Sequence, residues 1–261
     1  MSPWLLLGGG WAAMAIVMAV MWIVQWRTRN AGIVDVAWAA GVGLLGVIFA
    51  AFGDGDPSRR LIVALLAGLW GLRLTVHLAR RVAREPEDGR YQDLRERFAD
   101  NAPAWFFGFF QVQALWAVMF ATPMLIAANN PLPAPGVFDW LAIAIWLVAI
   151  GGESLADRQL KRFKADPANR GHVCQQGLWR YSRHPNYFFE WLHWFAYVCL
   201  GILGPYGWIT LLGPAVMVFF LLKVTGIPPT EARAIATRGD EYREYQRSTN
   251  AFFPGPRKRV Q

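Results

Sequence analysis

Hydrogen-bonding side chains are concentrated between residues 177 and 191, where the sequence reads GLWRYSRHPNYFFEW. His184, Pro185 and Asn186 form a helix-start signature at the edge of an apolar segment, in which the histidine or the asparagine can cap the helix. The free N–H groups of such a start, with arginines beside them, form an anion site. We therefore expect a phosphate-bearing cofactor to place its anionic end here and its reactive end along the helix. The alternative is a well-capped helix whose arginines touch lipid headgroups. The candidate residues are Arg180, Arg183, His184, Asn186, Tyr187 and Glu190.

An aspartate, Asp35, stands in the apolar stretch GIVDVAWAAG. An ionisable side chain inside a membrane span costs about 2.5–3.5 kcal/mol on insertion scales, so it is a functional candidate by default. Apolar surroundings favour the neutral carboxylic acid, which can donate a proton or a hydrogen bond. The alternatives are that Asp35 caps its helix or pairs with an arginine.

A second polar stripe lies in LWGLRLTVHLARR, where Trp70, Arg73, His77 and either Arg80 or Arg81 recur at three- and four-residue spacing. This spacing places them on one face of a helix. Because a charge exposed to lipid is expensive, Arg73 should face the protein interior, toward a carboxylate such as Asp35 or Glu190. We expect Trp70, Arg73 and His77 to act with Asp35 in catalysis, and Arg81 to reach the cofactor.

A third stripe, in GGESLADRQLKRFK, contains Glu153, Asp157, Lys161 and Lys164. The carboxylates could accept ribose or amide hydrogen bonds, and the lysines could contact a phosphate. The alternative is a helix that leaves the membrane with stabilising pairs of opposite charge at i and i+4.

The tail DEYREYQRSTNAFFP carries aromatic and basic residues at helical spacing. It predicts a cytoplasmic helix that either closes the cofactor site or lies on the membrane surface. Tyr245 and Arg247 are its cofactor candidates.

The elements that position these residues are predicted to be membrane helices. The chain has 261 residues, of which 55% are hydrophobic and only 17% charged, whereas soluble domains carry about 25% charged residues. Seven apolar segments approach the ~20 residues that a spanning helix needs. They are 4–26, 33–52, 60–78, 103–128, 137–155, 187–203 and 206–224. This pattern predicts an all-α polytopic protein with one domain, 1–261, whose substrate cavity comes mainly from 30–120 and whose cofactor site comes mainly from 150–261.

The basic residues predict the orientation. The segments that follow the odd-numbered spans contain 22 of the 26 lysines and arginines, which places the N-terminus outside and the C-terminus in the cytoplasm. Attraction to anionic lipid headgroups explains such a bias equally for lysine and arginine. Phosphate recognition favours arginine, and 22 of the 26 are arginine. The expected location is a membrane that the chain crosses several times.

The motifs GLWRYSRHPNYFFEW, GIVDVAWAAG, LWGLRLTVHLARR and DEYREYQRSTNAFFP resemble the bacterial steroid 5α-reductase-like membrane proteins called DUF1295. This resemblance implies seven helices, bound NADPH, and reduction of a carbon–carbon double bond conjugated to a carbonyl in a lipid. It also implies a location in a bacterial inner (cell) membrane. It also implies cofactor contacts at Asp157, Lys164, Asn186 and Glu190. In the reductases a glutamate from helix two and a tyrosine from helix three bond the substrate ketone. Here Asp35 is the nearest acid and Trp70 stands near the tyrosine's place, so the resemblance is better for the cofactor than for the substrate.

A rival resemblance is to isoprenylcysteine and phospholipid methyltransferases, which share the RHPxY element and bind S-adenosylmethionine in a similar place. They often carry a paired glutamate early in the tail, where this sequence has only Glu231. The expected function is thus an NADPH-dependent membrane reductase, with an S-adenosylmethionine-dependent lipid methyltransferase as the alternative. The expected partners are a lipophilic small-molecule substrate from the bilayer and membrane lipids. No metal, nucleic acid or obligate protein partner is expected.

Overall fold

A computed structural model describes residues 1–258; residues 259–261, the end of the predicted domain, lie outside the described part. Within residues 1–258 the regular structure is entirely helical, as predicted. In this part of the chain the α-helices are α1 (Pro3–Thr28), α2 (Ile33–Phe52), α3 (Pro57–Arg84), α4 (Gly89–Phe98), α5 (Ala102–Ala128), α6 (Val137–Ala165), α7 (Pro185–Gly201), α8 (Leu212–Phe219) and α9 (Ile227–Ser248). Short 3₁₀ turns and one π-helical turn, Phe220–Val224, connect some of them.

The helices fit a polytopic membrane protein. Among residues 1–258, six helical stretches are long and apolar enough to cross a membrane: α1, α2, α3, the continuous stretch Gly89–Ala128, α6 and the stretch Gly207–Ser248. The remaining predicted span, 187–203, corresponds to α7, whose 17 residues extend about 25 Å. The side on which each terminus lies stays a prediction.

Two aspartates begin helices in the way their sequence suggests. Asp56 precedes Pro57 and accepts backbone hydrogen bonds from Ser58 (2.8 Å) and Arg59 (3.4 Å) at the start of α3. Asp88 similarly accepts a hydrogen bond from the backbone N–H of Arg90, at 3.0 Å, at the start of α4. Such caps satisfy N–H groups that lack partners within the helix. Helix α4 itself was not predicted, because its residues are polar and resemble a loop.

The chain divides into two compact units. The first comprises Met1–Trp140 and Tyr197–Gly213. In it α2 and α3 approach closely where two glycines meet: a Cβ added to Gly43 would lie 2.8 Å from the Cα of Gly71. Trp70, Phe106 and Phe110 are fully buried in this unit. Trp70, predicted to be catalytic, therefore lies in the packed core.

A buried ion pair in the first unit joins the start of α3 to the start of α6. Arg59 donates from Nε and Nη2 to the two carboxylate oxygens of Asp139, at 2.7 and 2.8 Å, and from Nη1 to the carbonyl of Leu132 at 2.6 Å. The side chains of Arg59 and Asp139 are 6% and 1% exposed. From the sequence, Arg59 was expected in a loop, and no partner was assigned to it.

The second unit comprises Leu141–Ala196 and the described part of Pro214–Gln261. The tail helix α9 packs Ala234, Tyr242 and Tyr245 against Val173 in a buried cluster. The hydroxyl of Tyr245 donates to the backbone carbonyls of Trp179 and Ser182. The tail is thus a packed part of this unit.

Candidate functional site

The Asp35 carboxylate, in the first turn of α2, is bound by two side chains at the start of α4. The hydroxyl of Tyr91 donates to Oδ1 at 2.7 Å, and Nη2 of Arg90 lies 3.4 Å from Oδ2. The side chain of Asp35 is 27% exposed. Asp35 is therefore paired with an arginine, which is one of the alternatives that the sequence left open. The hydrogen bond from the Tyr91 hydroxyl was not predicted.

Asp88 fixes the arginine of this cluster. Its carboxylate accepts hydrogen bonds from Nε (3.1 Å) and Nη2 (3.3 Å) of Arg90, and it also pairs with Arg81. Burial alone would raise the pKa of Asp88, but the hydrogen bonds and charges of Arg90 and Arg81 lower it to about 2. Asp88 is thus an anion at neutral pH, and the cluster contains two arginines and two carboxyl groups.

Further contacts hold α4 in place within the first unit. Tyr91 is only 3% exposed and packs against Phe106 and Phe109, with ring centroids 6.4 and 6.5 Å apart. Glu87 accepts the backbone N–H of Ala31 at 2.7 Å and pairs with Arg95 at 2.8 Å. The hydroxyl that faces Asp35 is therefore held on a well-anchored helix.

A small cavity adjoins the cluster. It has a volume of about 10 Å³, close to the size that holds one water molecule, and its lining includes Asp35, Asp88, Arg81, Asn30 and Leu78. Asp35 therefore faces space that a solvent molecule or a ligand atom can reach, whereas Tyr91 does not line it.

The other predicted site residues of α3 differ in their burial and in their contacts. Arg73 is half-buried and His77 is exposed. Arg81, predicted to reach the cofactor, is engaged by Asp88 and lies 3.8 Å from Glu85. The structure thus brings Asp35 and Arg81 into one cluster around Asp88 and places Trp70 in the core.

In the second unit, Glu231 of α9 is the acceptor around which the RHPNY motif is organised. It accepts Nε of Arg183 at 2.6 Å and lies 3.2 Å from Nε2 of His184. Gln246 and Tyr242, also on α9, donate to it at 2.7 and 3.3 Å. Arg183 donates further to the backbone carbonyls of Gln246 and Thr249.

These contacts give the motif a role in holding the tail. The side chain of Arg183 is 10% exposed and that of His184 is 4% exposed, so neither is turned to solvent. Burial lowers the pKa of His184, although its hydrogen bond to Glu231 acts in the opposite direction, and the imidazole is neutral at pH 7. Three predicted cofactor residues, Arg183, His184 and Tyr245, thus anchor the tail to the start of α7.

The other predicted cofactor residues of the second unit surround the ends of α6 and α7. The amide of Asn186 donates to Asp157 at 3.4 Å, and Tyr187 stacks on His184 with its hydroxyl 3.3 Å from that of Thr230. Glu153 is buried and Glu190 is half-buried. The exposed cations are Lys161, Lys164, Arg180 and Arg247. Within residues 1–258 none of these four side chains donates a hydrogen bond or forms an ion pair, so all four can serve a bound anion.

Sequence reasoning missed Asp88, Arg90 and Tyr91 beside Asp35, and it did not connect Glu231 with Arg183. The Asp88–Gly89 pair, a helix-start signal before Arg90 and Tyr91, could have indicated a helix there. No local signal links Glu231 to the RHPNY motif. Within residues 1–258 no group of three or more histidine, cysteine, aspartate or glutamate side chains could hold a metal ion.

Comparison with known proteins gives a family match. A family model described as "Protein of unknown function (DUF1295)" matches residues 21–249. A Schizosaccharomyces pombe protein described as "Uncharacterized protein C594.04c" is 29% identical over 270 aligned residues, covering 90% of this chain and 76% of the yeast protein. No solved structure matches the chain significantly.

Proposed function

The chain belongs to the DUF1295 family, as its motifs predicted, and we propose that it is a membrane-embedded NADPH-dependent reductase. Its substrate class is a lipid in which a carbon–carbon double bond is conjugated to a carbonyl. The reaction consumes one hydride from NADPH and one proton, and yields the saturated carbonyl compound and NADP⁺.

The observation that carries this proposal is the pairing of a carboxyl group with a phenol hydroxyl, Asp35 with Tyr91 at 2.7 Å, beside Arg90. Hydride addition to the β-carbon of an enone moves negative charge onto the carbonyl oxygen. Preorganised hydrogen-bond donors and positive charge stabilise such an oxyanion, and this stabilisation commonly contributes more to catalysis than any other single effect. In the proposal the neutral form of Asp35 donates its proton to the carbonyl oxygen as the hydride reaches the β-carbon. The enol that forms tautomerises to the saturated carbonyl compound, and a proton from solvent restores the neutral acid. Tyr91 and Arg90 hold the carboxyl group in orientation.

The donors of the second unit suit NADPH. When bound, NADPH supplies the hydride and carries a pyrophosphate and a 2′-phosphate. The exposed cations Lys161, Lys164, Arg180 and Arg247 would bind those phosphates. Asn186 and Asp157 supply an amide donor and a carboxylate acceptor for the uncharged parts of the cofactor.

Methyl transfer receives less support from the same unit. S-adenosylmethionine carries an ammonium group and a sulfonium group, which carboxylates bind. The glutamate of the tail, Glu231, already accepts Arg183, Gln246 and Tyr242, so its charge is compensated within the protein.

Ligand-induced thermal stabilisation tests the cofactor part of the proposal. The purified protein in neutral detergent is heated with NADPH, NADH or S-adenosylmethionine. We expect NADPH to raise the melting temperature, because a ligand that binds only the folded state stabilises it by mass action. Stabilisation by S-adenosylmethionine alone would overturn the reductase in favour of the methyltransferase. No response to any of the three would indicate a protein that binds lipid without using these cofactors.

The Asp35→Asn variant tests the catalytic part. With an α,β-unsaturated ketone of a long-chain lipid as the probe, we expect NADPH oxidation to be abolished and NADPH-induced stabilisation to stay near that of the wild type. The matched control is Asp93→Asn, an exposed aspartate of α4. Full activity of Asp35→Asn refutes the assigned role of Asp35.

A further inference from the structure

A basic pocket of about 270 Å³ lies at the end of α6 in the second unit. Its wall is formed by the last turns of α6, the segment that follows it as far as Cys174, and one residue of α9. Most of it comes from sequence that was predicted only as a cytoplasmic connection. Lys164 alone among its lining residues was singled out from the sequence.

Basic side chains surround this pocket. Lys164 of α6, Arg170 and His172 of the following segment, and Arg238 of α9 all line it. Lys164 and Arg170 are exposed, and within residues 1–258 neither side chain has a hydrogen-bond partner. They are therefore available to an incoming ligand.

The other two basic residues are held in place by the protein. Arg238 donates from Nε to the backbone carbonyl of His172 at 3.1 Å, so its guanidinium is fixed at the rim. The ring of His172 lies 3.3 Å from Glu241. The acidic side chain in the lining, Asp166, accepts the backbone N–H of Ala168 at 2.9 Å and is occupied in that turn.

The lining also contains apolar groups. Leu160, Phe163 and Cys174 line the same pocket, and Cys174 is buried. The volume is slightly below the range of about 300–1,000 Å³ that is usual for drug-sized ligands. The pocket is thus suited to one small group that combines a negative charge with an apolar part.

We propose that this basic pocket binds a phosphate monoester attached to a small, partly apolar group, with Arg170 and Lys164 as its principal ligands. Guanidinium and phosphate match in geometry, and two or three cations are needed to balance a phosphate dianion. The phosphate could come from a nucleotide, such as the 2′-phosphate of NADPH, or from an anionic lipid headgroup. The proposal stands without the reductase activity. If that activity holds and the nucleotide is the source, the pocket distinguishes NADPH from NADH.

The test measures binding through the melting temperature. In neutral detergent the probes are 2′-AMP and, as the uncharged comparison, adenosine. In lipid nanodiscs the probe is phosphatidic acid within phosphatidylcholine. We expect one of the phosphate-bearing probes to stabilise the wild type, adenosine to have no effect, and added salt to weaken the stabilisation.

Variants assign that response to the pocket. Arg170→Gln should weaken the affinity for the stabilising probe roughly tenfold or more, because it removes a charge-assisted contact. Lys164→Gln, which changes a second exposed side chain, should have an effect in the same direction. The matched control is Arg233→Gln, an exposed arginine of α9 that does not line the pocket, and it should bind as the wild type does.

The outcomes separate this proposal from the reductase. The proposal that the pocket binds a phosphate monoester is overturned by either of two results. One is that neither 2′-AMP nor phosphatidic acid stabilises the protein, and the other is that the wild type and both pocket variants bind the probe with equal affinity. Stabilisation by 2′-AMP that is lost in Arg170→Gln supports the nucleotide source, and the same pattern with phosphatidic acid supports the lipid source. NADPH binding that is unchanged in both pocket variants removes the pocket, Lys164 included, from cofactor binding and leaves the reductase with Lys161, Arg180 and Arg247 as its phosphate ligands.

Discussion

Replacing Glu231 by alanine removes the acceptor that ties the RHPNY motif to the tail helix α9. The side chains of Glu231 and Arg183 are 13% and 10% exposed, so the variant leaves a mostly buried guanidinium without its carboxylate. Removing one partner of a buried ion pair costs about 3–5 kcal/mol. Because Arg183 retains two backbone carbonyl acceptors, we expect the lower end, about 3 kcal/mol.

The conservative variant Glu231→Gln separates charge from shape. Glutamine keeps a side-chain oxygen that can accept a hydrogen bond, but it removes the negative charge. We therefore expect the free energy of unfolding to fall by about 1–2 kcal/mol, which is less than for Glu231→Ala. The matched control is Glu244→Ala, an exposed glutamate on the same helix, which should change stability by no more than about 0.5 kcal/mol.

The assay is the free energy of unfolding in mixed micelles, driven by a denaturing detergent and followed by tryptophan fluorescence. Protease sensitivity of the tail provides a second readout, because a detached α9 becomes a substrate. If Glu231→Ala unfolds with the same free energy as Glu244→Ala and its tail stays protected, the role assigned to the Glu231 contacts is refuted.

Three further predictions concern stability. Arg59→Ala should lower the free energy of unfolding by about 3–5 kcal/mol in the same assay, because it leaves the buried carboxylate of Asp139 without its ion-pair partner. Gly43→Ala should cost about 1–3 kcal/mol, because the new Cβ would lie 2.8 Å from the Cα of Gly71 and two backbones would have to separate. Asp88, with its pKa lowered to about 2, should stabilise the fold fully above pH 4 and lose that contribution as the pH falls from about 4 to 2.

Each of these predictions has a control. Arg80→Ala, which truncates an exposed arginine of α3, should be neutral. Gly8→Ala adds a Cβ with no atom within 4 Å and should not destabilise the protein, because alanine favours a helix more than glycine does. Asp88→Asn should flatten the pH dependence of unfolding below pH 4, whereas Asp93→Asn should not. Neutral behaviour of Arg59→Ala or Gly43→Ala, or an unchanged acid profile in Asp88→Asn, contradicts the corresponding structural interpretation.

The helices were largely predictable because spanning segments consist of long apolar runs, which are visible in one sequence. The misjudged elements lack that signal. Helix α4, GRYQDLRERF, is polar and resembles a loop, and α6 continues ten residues past the predicted 155 through charged sequence to Ala165. The predicted span 206–224 is built from several short helical pieces.

Individual residues of the candidate site could be recognised from the sequence, but the partners that they contact could not. Asp35 was recognised because a carboxyl group in an apolar run is costly. Its partners Arg90 and Tyr91 lie 55 and 56 residues further along the chain, beyond the reach of any local spacing rule. The same holds for Arg183, whose type suggested phosphate binding but whose carboxylate partner Glu231 lies 48 residues away.

The central claim is hydride transfer from NADPH to an enone, and isotope transfer measures it directly. The protein in lipid nanodiscs is incubated with an α,β-unsaturated ketone of a long-chain lipid and NADPH deuterated at the transferable position of nicotinamide C4, and the product is analysed by mass spectrometry. We predict a saturated ketone with one deuterium at the β-carbon, formed by the wild type and by Asp93→Asn but not by Asp35→Asn. An unlabelled substrate recovered intact, or a methylated product formed with S-adenosylmethionine, would contradict the claim.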